Sequence, residues 1–261
     1  MYDILLFGDS NTWGFDPATG LRYPYEERWT TVCARLLGER YHCIPAGMNG
    51  RTTAFDDPEK PLRNGCRELD HELQEHKPLD LVVIMLGTND MKFTDAKGSA
   101  AGLEMLVGMV LSVNERFRTS SPVFMGDPSI LIVSPVYLNE SFRNERHSAQ
   151  PPVGEAGNPG SVQTQVSGDA NAAGVEGHGT DGGAAGADLA EFGPSTADYD
   201  DVAESRLLAD YYREIADRHG LHFMDAAAFA EPSVTDGVHM SAEAHRAVGE
   251  AVAAMIREIL P

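Results

Sequence analysis

The chain has 261 residues, 42% hydrophobic and 23% charged, the balance of an ordinary globular protein built as one domain. Forty acidic against twenty basic side chains give a formal net charge of −20, a field that repels nucleic acid and anionic membrane surfaces, so neither is an expected partner. Three cysteines, Cys33, Cys43 and Cys66, with no C-x-x-C pair argue against a disulfide framework or a zinc site; with no leader-like start and no apolar stretch near the ~20 residues of a membrane span, a cytoplasmic location is expected.

Short apolar runs alternate with longer amphipathic patterns, which predicts successive βαβ units and a parallel sheet covered on both faces. The first strand, Asp3–Phe7, runs directly into Gly8-Asp9-Ser10-Asn11. A helix over Trp29–Leu37 leads to a second strand, Tyr41–Pro45, followed by Gly47-Met48-Asn49-Gly50-Arg51-Thr52-Thr53. A helix over Leu62–Glu75 precedes the third strand, Leu81–Leu86, and Gly87-Thr88-Asn89-Asp90 stands at its end. Leu103, Leu106, Val107, Val110 and Leu111 recur at helical spacing and predict a helix over Gly98–Phe117, before a fourth strand at Ser129–Val133. The same pattern returns over Tyr199–His219, where Gly220 is a stop signal, and the fifth strand is Leu221–Met224. Ser241 opens a last helix that runs to Leu260, with Glu243 early and Arg257 late to suit the helix dipole.

Residues 144–194 break the pattern, because Gly, Ala, Ser, Asp and Pro dominate and large apolar side chains nearly vanish. Such a segment cannot bury enough apolar surface to offset the entropy of ordering it, so a mobile insertion within a single domain spanning 1–261 is expected. It follows the fourth strand at the carboxyl edge, where open α/β sheets place ligands, and is either a lid or a passive insertion.

The chemistry collects at the strand ends. A serine hydroxyl attacks only when a neighbouring base takes its proton. Ser10 is the candidate nucleophile and His239 the base, with Asp236 placed three residues earlier so that its carboxylate reaches Nδ1 and leaves Nε2 for the serine. Ester cleavage also needs donors where the carbonyl oxygen turns negative. The backbone N–H groups of Ser10 and Gly50 and the side-chain amide of Asn89 are the candidates for that oxyanion hole, each just past a predicted strand. Asp9, Trp13, Asp16, Arg51, Lys92, Phe93 and Val238 flank these positions and are the candidates for shaping a substrate pocket, with acetyl favoured over long acyl chains. No histidine spacing suggests a metal site.

Gly8-Asp9-Ser10, Gly50, Gly87-Thr88-Asn89-Asp90 and Asp236-Gly237-Val238-His239, in this order, make the chain resemble the SGNH (GDSL-type) esterases and acyltransferases. The resemblance covers most of 1–138 and 199–260. It implies a flavodoxin-like three-layer α/β/α sandwich with a five-stranded parallel sheet, an acyl-enzyme mechanism on small-molecule esters, and no metal or organic cofactor. Gly8-Asp9-Ser10-Asn11-Thr12-Trp13-Gly14 and Asn49-Gly50-Arg51-Thr52-Thr53 are most similar to the bacterial arylesterase/acyltransferase subgroup, which implies short acyl chains and a homo-oligomer, often an octamer. Asn11 departs from the motif, standing where leucine gives the family its letters, a change that leaves the nucleophile itself intact. Two other readings stay open: a carbohydrate O-acetylesterase, and a non-catalytic flavodoxin-like module cradling phosphate or flavin at Ser10-Asn11-Thr12, which leaves Asp236 and His239 without a purpose.

Overall fold

The computed structural model describes residues 1–58, 60–117, 121–142 and 200–261. The 144–194 insertion lies outside the described residues.

Five strands form one all-parallel sheet in the order β2-β1-β3-β4-β5: β1 (Tyr2–Gly8), β2 (Tyr41–Gly47), β3 (Leu81–Met85), β4 (Ile130–Ser134) and β5 (His222–Asp225). Both faces are covered, which is why β1, β3 and β4 read as continuous apolar runs and not as alternating ones. Leu5, Phe7, Val82, Ile84, Ile130 and Ile132 point to one face, where they meet Leu69 and Leu73 of α3 (Gly65–Glu75), Leu103 and Leu106 of α4 (Ala96–Leu111) and Leu208 and Tyr212 of α6 (Asp201–His219). Ile4, Leu6, Leu81, Val83, Leu131 and Val133 point to the other, against Trp29 and Cys33 of α2 (Trp29–Leu37) and Val248, Val252 and Ile256 of α7 (Ala242–Ile259). α1 (Ser10–Trp13) and α5 (Val113–Arg116) are shorter helices beside these. The result is the three-layer α/β/α sandwich expected from the sequence.

Boundaries moved where local chemistry overrode periodicity. The helix expected from Leu62 begins at Gly65, because Pro61 and the positive φ of 67° at Leu62 cannot continue a helix, and the Asn64 side chain accepts from the Cys66 N–H as its cap. The pattern over Gly98–Phe117 starts two residues early under an Asp95 cap and divides at Ser112 into α4 and α5.

β1 sits between β2 and β3, so the chain leaves its carboxyl end toward one edge and returns on the other side. That crevice is where ligands bind in open α/β sheets. Ser10, Gly50 and Asn89 follow β1, β2 and β3 respectively and share it by topology alone.

Candidate active site

Gly8 closes β1, and a Cβ there would lie 2.1 Å from Thr12 Oγ1 and 2.8 Å from the Met85 carbonyl, so no other residue lets the chain turn this tightly into α1. Asp9 caps that turn: Oδ1 accepts the Asn11 N–H at 2.9 Å, and the chain leaves α1 through Gly14 at φ 92°. Ser10 is thereby the first helical residue above the sheet edge, with its hydroxyl at the mouth of the crevice.

His239, the expected base, arrives from the far edge. The loop after β5 folds back on itself through Ser233 N–H to His239 O (2.7 Å) and Gly237 N–H to Ser233 O (2.9 Å), and residues 138–142 brace it from outside, Asn139 N–H donating to Gly237 O at 3.0 Å. Gly237 is required at φ 71°, with the Phe142 backbone nitrogen 2.3 Å from where a Cβ would stand. Within the loop, Asp236 Oδ1 accepts the N–H groups of Val238 and His239 at 3.0 Å each, while Oδ2 meets His239 Nδ1 at 2.6 Å. Burial by itself raises a carboxyl, but these hydrogen bonds and the imidazole outweigh it and hold Asp236 below the ordinary carboxylate range. His239 Nε2 lies 2.9 Å from Ser10 Oγ, and the Phe15 ring lies against the imidazole at 4.3 Å between centroids. Asp236, His239 and Ser10 thus form one unbroken line of hydrogen bonds joining residues 229 positions apart.

The three expected oxyanion donors, Ser10, Gly50 and Asn89, follow β1, β2 and β3. Among the described residues the backbone N–H groups of Ser10 and Gly50 take no hydrogen-bond partner. For Ser10 this follows from its position at a helix start, and for Gly50 from a turn at φ 82°. Asn89 Nδ2 donates to Arg51 O at 3.1 Å and more loosely to Asp9 Oδ2 at 3.4 Å, while Lys92 Nζ donates to Asn89 Oδ1 at 2.9 Å. These contacts fix which way the carboxamide faces.

Two residues expected at the substrate pocket lie beneath the site instead. Arg51 is 1% exposed. Its guanidinium donates to the carbonyls of Gly8 (2.8 Å) and Ala46 and to Glu68 (2.9 Å), and stacks over Phe7, so a charge inside the core is paired and ties the ends of β1 and β2 to α3. Asp9 is 2% exposed, and burial pushes its carboxyl up to about 6 against the opposing pull of the Asn11 N–H and of His239, Lys92 and Arg51. Trp13 and Val238 stay half-buried beside Ser10 and His239, Trp13 under the Arg22 guanidinium at 4.8 Å. Asp16 turns away to Thr19 and the Ala18 N–H, and Phe93 stacks with Phe55.

Sequence reasoning missed Phe15, whose ring lies against His239, and Asn11, which bonds the backbone of Val238 and Met240 on either side of it, because an aromatic or an amide just after a serine carries no local signal of what folds onto it. It also missed the layer under Asn89. Asp90 is buried and accepts from Thr53 N–H (2.8 Å), Thr53 Oγ1 (2.6 Å) and Ser99 Oγ (2.7 Å), and Ser99 in turn meets Tyr212. Burial lifts Asp90 to about 7 despite those three donors.

This fold with this constellation defines a carboxylic ester hydrolase of the SGNH type. The chain belongs to the GDSL-like lipase/acylhydrolase family, whose model matches residues 6–247. Solved structures similar over 100% of this chain include a carbohydrate acetylesterase family member from Sinorhizobium meliloti (33% identity, 99% of that chain, TM-score 0.72). Est24, a carbohydrate acetylesterase from the same organism, matches at 30% identity over 100% of both chains with TM-score 0.73. The aryl esterase of M. smegmatis matches at 29% identity, again over 100% of both chains, with TM-score 0.71. No curated protein matches the chain. Among the described residues no helix is long and apolar enough to cross a membrane.

Proposed function

We propose that Ser10, His239 and Asp236 carry out a two-step acyl transfer on short-chain, acetyl-type esters. Asp236 Oδ2 holds the Nδ1 proton of His239, so Nε2 presents a lone pair to the Ser10 hydroxyl. Ser10 Oγ attacks the ester carbonyl as its proton passes to Nε2. The tetrahedral oxyanion is received by the N–H groups of Ser10 and Gly50 and by the Asn89 amide. Collapse breaks the bond to the leaving oxygen, which takes the proton from Nε2 and departs as the alcohol, leaving acyl-Ser10. Water then gives a proton to Nε2, attacks the acyl carbon and releases the acid, and Ser10 recovers its proton. The observation that carries this reading is the Asp236–His239–Ser10 line, 2.6 Å and 2.9 Å long.

Replacing Ser10 by alanine is expected to lower kcat on p-nitrophenyl acetate by about 10³-fold or more and to abolish covalent labelling by a fluorophosphonate. Retention of most activity in Ser10→Ala overturns the assignment.

Acetylated carbohydrate is the second reading for the substrate, favoured by the two acetylesterase neighbours. Release of acetate from acetylated oligosaccharides, set against cleavage of butyryl and octanoyl test esters, separates it from simple esters. Acyl transfer to an alcohol in place of water, a homo-oligomer such as an octamer, a cytoplasmic location and a single domain over 1–261 belong to the same proposal. They are supported by the likeness to the arylesterase subgroup, by the free thiols of Cys33, Cys43 and Cys66, and by the single sheet that organises the described residues.

A further inference from the structure

Asn11 stands directly after Ser10, is 2% exposed, and has no part in the transfer chemistry. Its side chain leaves α1 for the loop that carries the base. Oδ1 accepts the Met240 N–H at 2.9 Å, and Nδ2 faces the Val238 carbonyl at 3.4 Å. Those two residues flank His239 on either side. An asparagine carboxamide carries an acceptor and a donor on two separate atoms, so it can answer a loop's N–H and C=O at once where a single hydroxyl oxygen cannot span both. Leucine, the residue of the family motif at this position, has the same branching at Cγ and offers neither.

The loop's other hydrogen bonds do not do this. Ser233 to His239 and Asp236 to Val238 and His239 hold the loop to itself, and Asn139 to Gly237 holds it to residues 138–142. Among the described residues, the hydrogen bonds joining residues 236–240 to the turn bearing the nucleophile come from Asn11 and from Ser10 itself. The Ser10 bond is broken and remade in each catalytic cycle as the proton moves. A fixed tie beside it keeps the imbalance from opening the gap between Oγ and Nε2.

We propose that Asn11 is a positioning residue that sets the Ser10–His239 distance by clamping the backbone on both sides of the base to the nucleophile's own turn. This rests on the assignment of Ser10 and His239 above. A displacement of about 1 Å at a reacting pair lowers rate by on the order of 10²-fold, so the expected loss on removing the clamp is about 10- to 100-fold in kcat.

The test uses the full chain with Asn11→Leu and Asn11→Asp, alone and with His239→Ala. Asn11→Leu is expected to fall 10- to 100-fold in kcat on p-nitrophenyl acetate, with KM within about twofold, and to lose the rate of fluorophosphonate labelling by the same factor. Asn11→Asp keeps the acceptor for Met240 and is expected to recover part of that loss. In the His239→Ala background, Asn11→Leu is expected to cost less than about twofold, since the clamp acts through the imidazole. An Asn11→Leu loss that persists in full without His239, or one that appears as raised KM at unchanged kcat, overturns the proposal. If Asn11→Leu fails to fold, a full-strength effect of Asn11→Asp in the His239→Ala background overturns it equally. A His239→Ala enzyme as active as the wild type brings down the base assignment along with the clamp, whereas a crippled His239→Ala enzyme with an additive Asn11→Leu loss brings down the clamp only.

Discussion

The Asn89 carboxamide is held from both ends: two acceptors, Arg51 O and Asp9 Oδ2, take its nitrogen and the Lys92 ammonium takes its oxygen. The 3.4 Å contact to Asp9 is the looser of the two on the nitrogen side, so in the proposed reaction it is the one the amide gives up most readily to an oxyanion. Lys92 lies at the surface, yet desolvation of its ammonium, with the nearby Lys60 charge, brings it below the ordinary lysine value against the opposing pull of Asp57, Asp9 and Asp90. Donation into the amide oxygen polarises the group and makes its N–H a stronger donor. Lys92→Met is therefore expected to lower kcat about three- to tenfold with little change in KM, a smaller loss than the ~10² or more expected for removing the donor itself by Asn89→Ala. Steady-state kinetics on p-nitrophenyl acetate check both. The sequence placed Asn89 and Lys92 near the site, and the turn formers Gly87-Thr88-Asn89-Asp90 announce a turn there, but the bond between the two side chains depends on the 3-10 geometry over Thr88–Lys92.

Elements meet at this site through glycines. Gly47 ends β2 where α1 crosses it, and a Cβ there would stand 2.2 Å from the Trp13 nitrogen and 2.6 Å from the Thr12 carbonyl carbon. Both neighbours are backbone, so the clash cannot be relieved by a rotamer change and must push α1, with Ser10 on it, off the sheet. Gly47→Ala is expected to destabilise the fold by about 2–3 kcal/mol and to reduce kcat, measured by urea unfolding and by ester hydrolysis of the folded fraction. The central strands and the main helices were legible in the sequence because β1, β3 and β4 bury both faces and each helix one, and that demand writes itself as apolar runs and 3.6-residue spacing. Element ends were less legible. The start of α3 at Gly65 follows from the Asn64 cap, and the break at Ser112 interrupts a pattern that continues unbroken in the side chains.

Over the whole molecule, two buried carboxyls shape how stability responds to pH. Burial raises Asp9 to about 6, and burial with the added repulsion of Asp9 raises Asp90 to about 7, from an ordinary 3.8. A group raised on folding stabilises the native state below its unfolded pKa and loses that contribution as pH climbs through the folded value, here between about 4 and 7. Asp236, held below the ordinary range, acts with the opposite sign, and its contribution is lost as the medium becomes acidic. Thermal midpoints taken from pH 4.5 to 8.5 are therefore expected to fall for the wild type relative to Asp90→Asn as pH rises through about 7, a drift on the order of 1 kcal/mol or more. Parallel curves for the two proteins would remove Asp90 as the source.

By itself, the order of residues determined the layers of this protein and pointed to Ser10, His239 and Asp236 at its strand ends as the proposed triad, because these follow from burial periodicity and from short loops whose contents are local. The tertiary structure alone decided that Arg51 and Asp9 lie under the site, that Asp90 rests on Thr53 and Ser99, and that Asn11 reaches across to Val238 and Met240. The physical reason is distance along the chain. A buried polar group must find partners wherever packing brings them, and for Asn11 they stand 227 and 229 residues away.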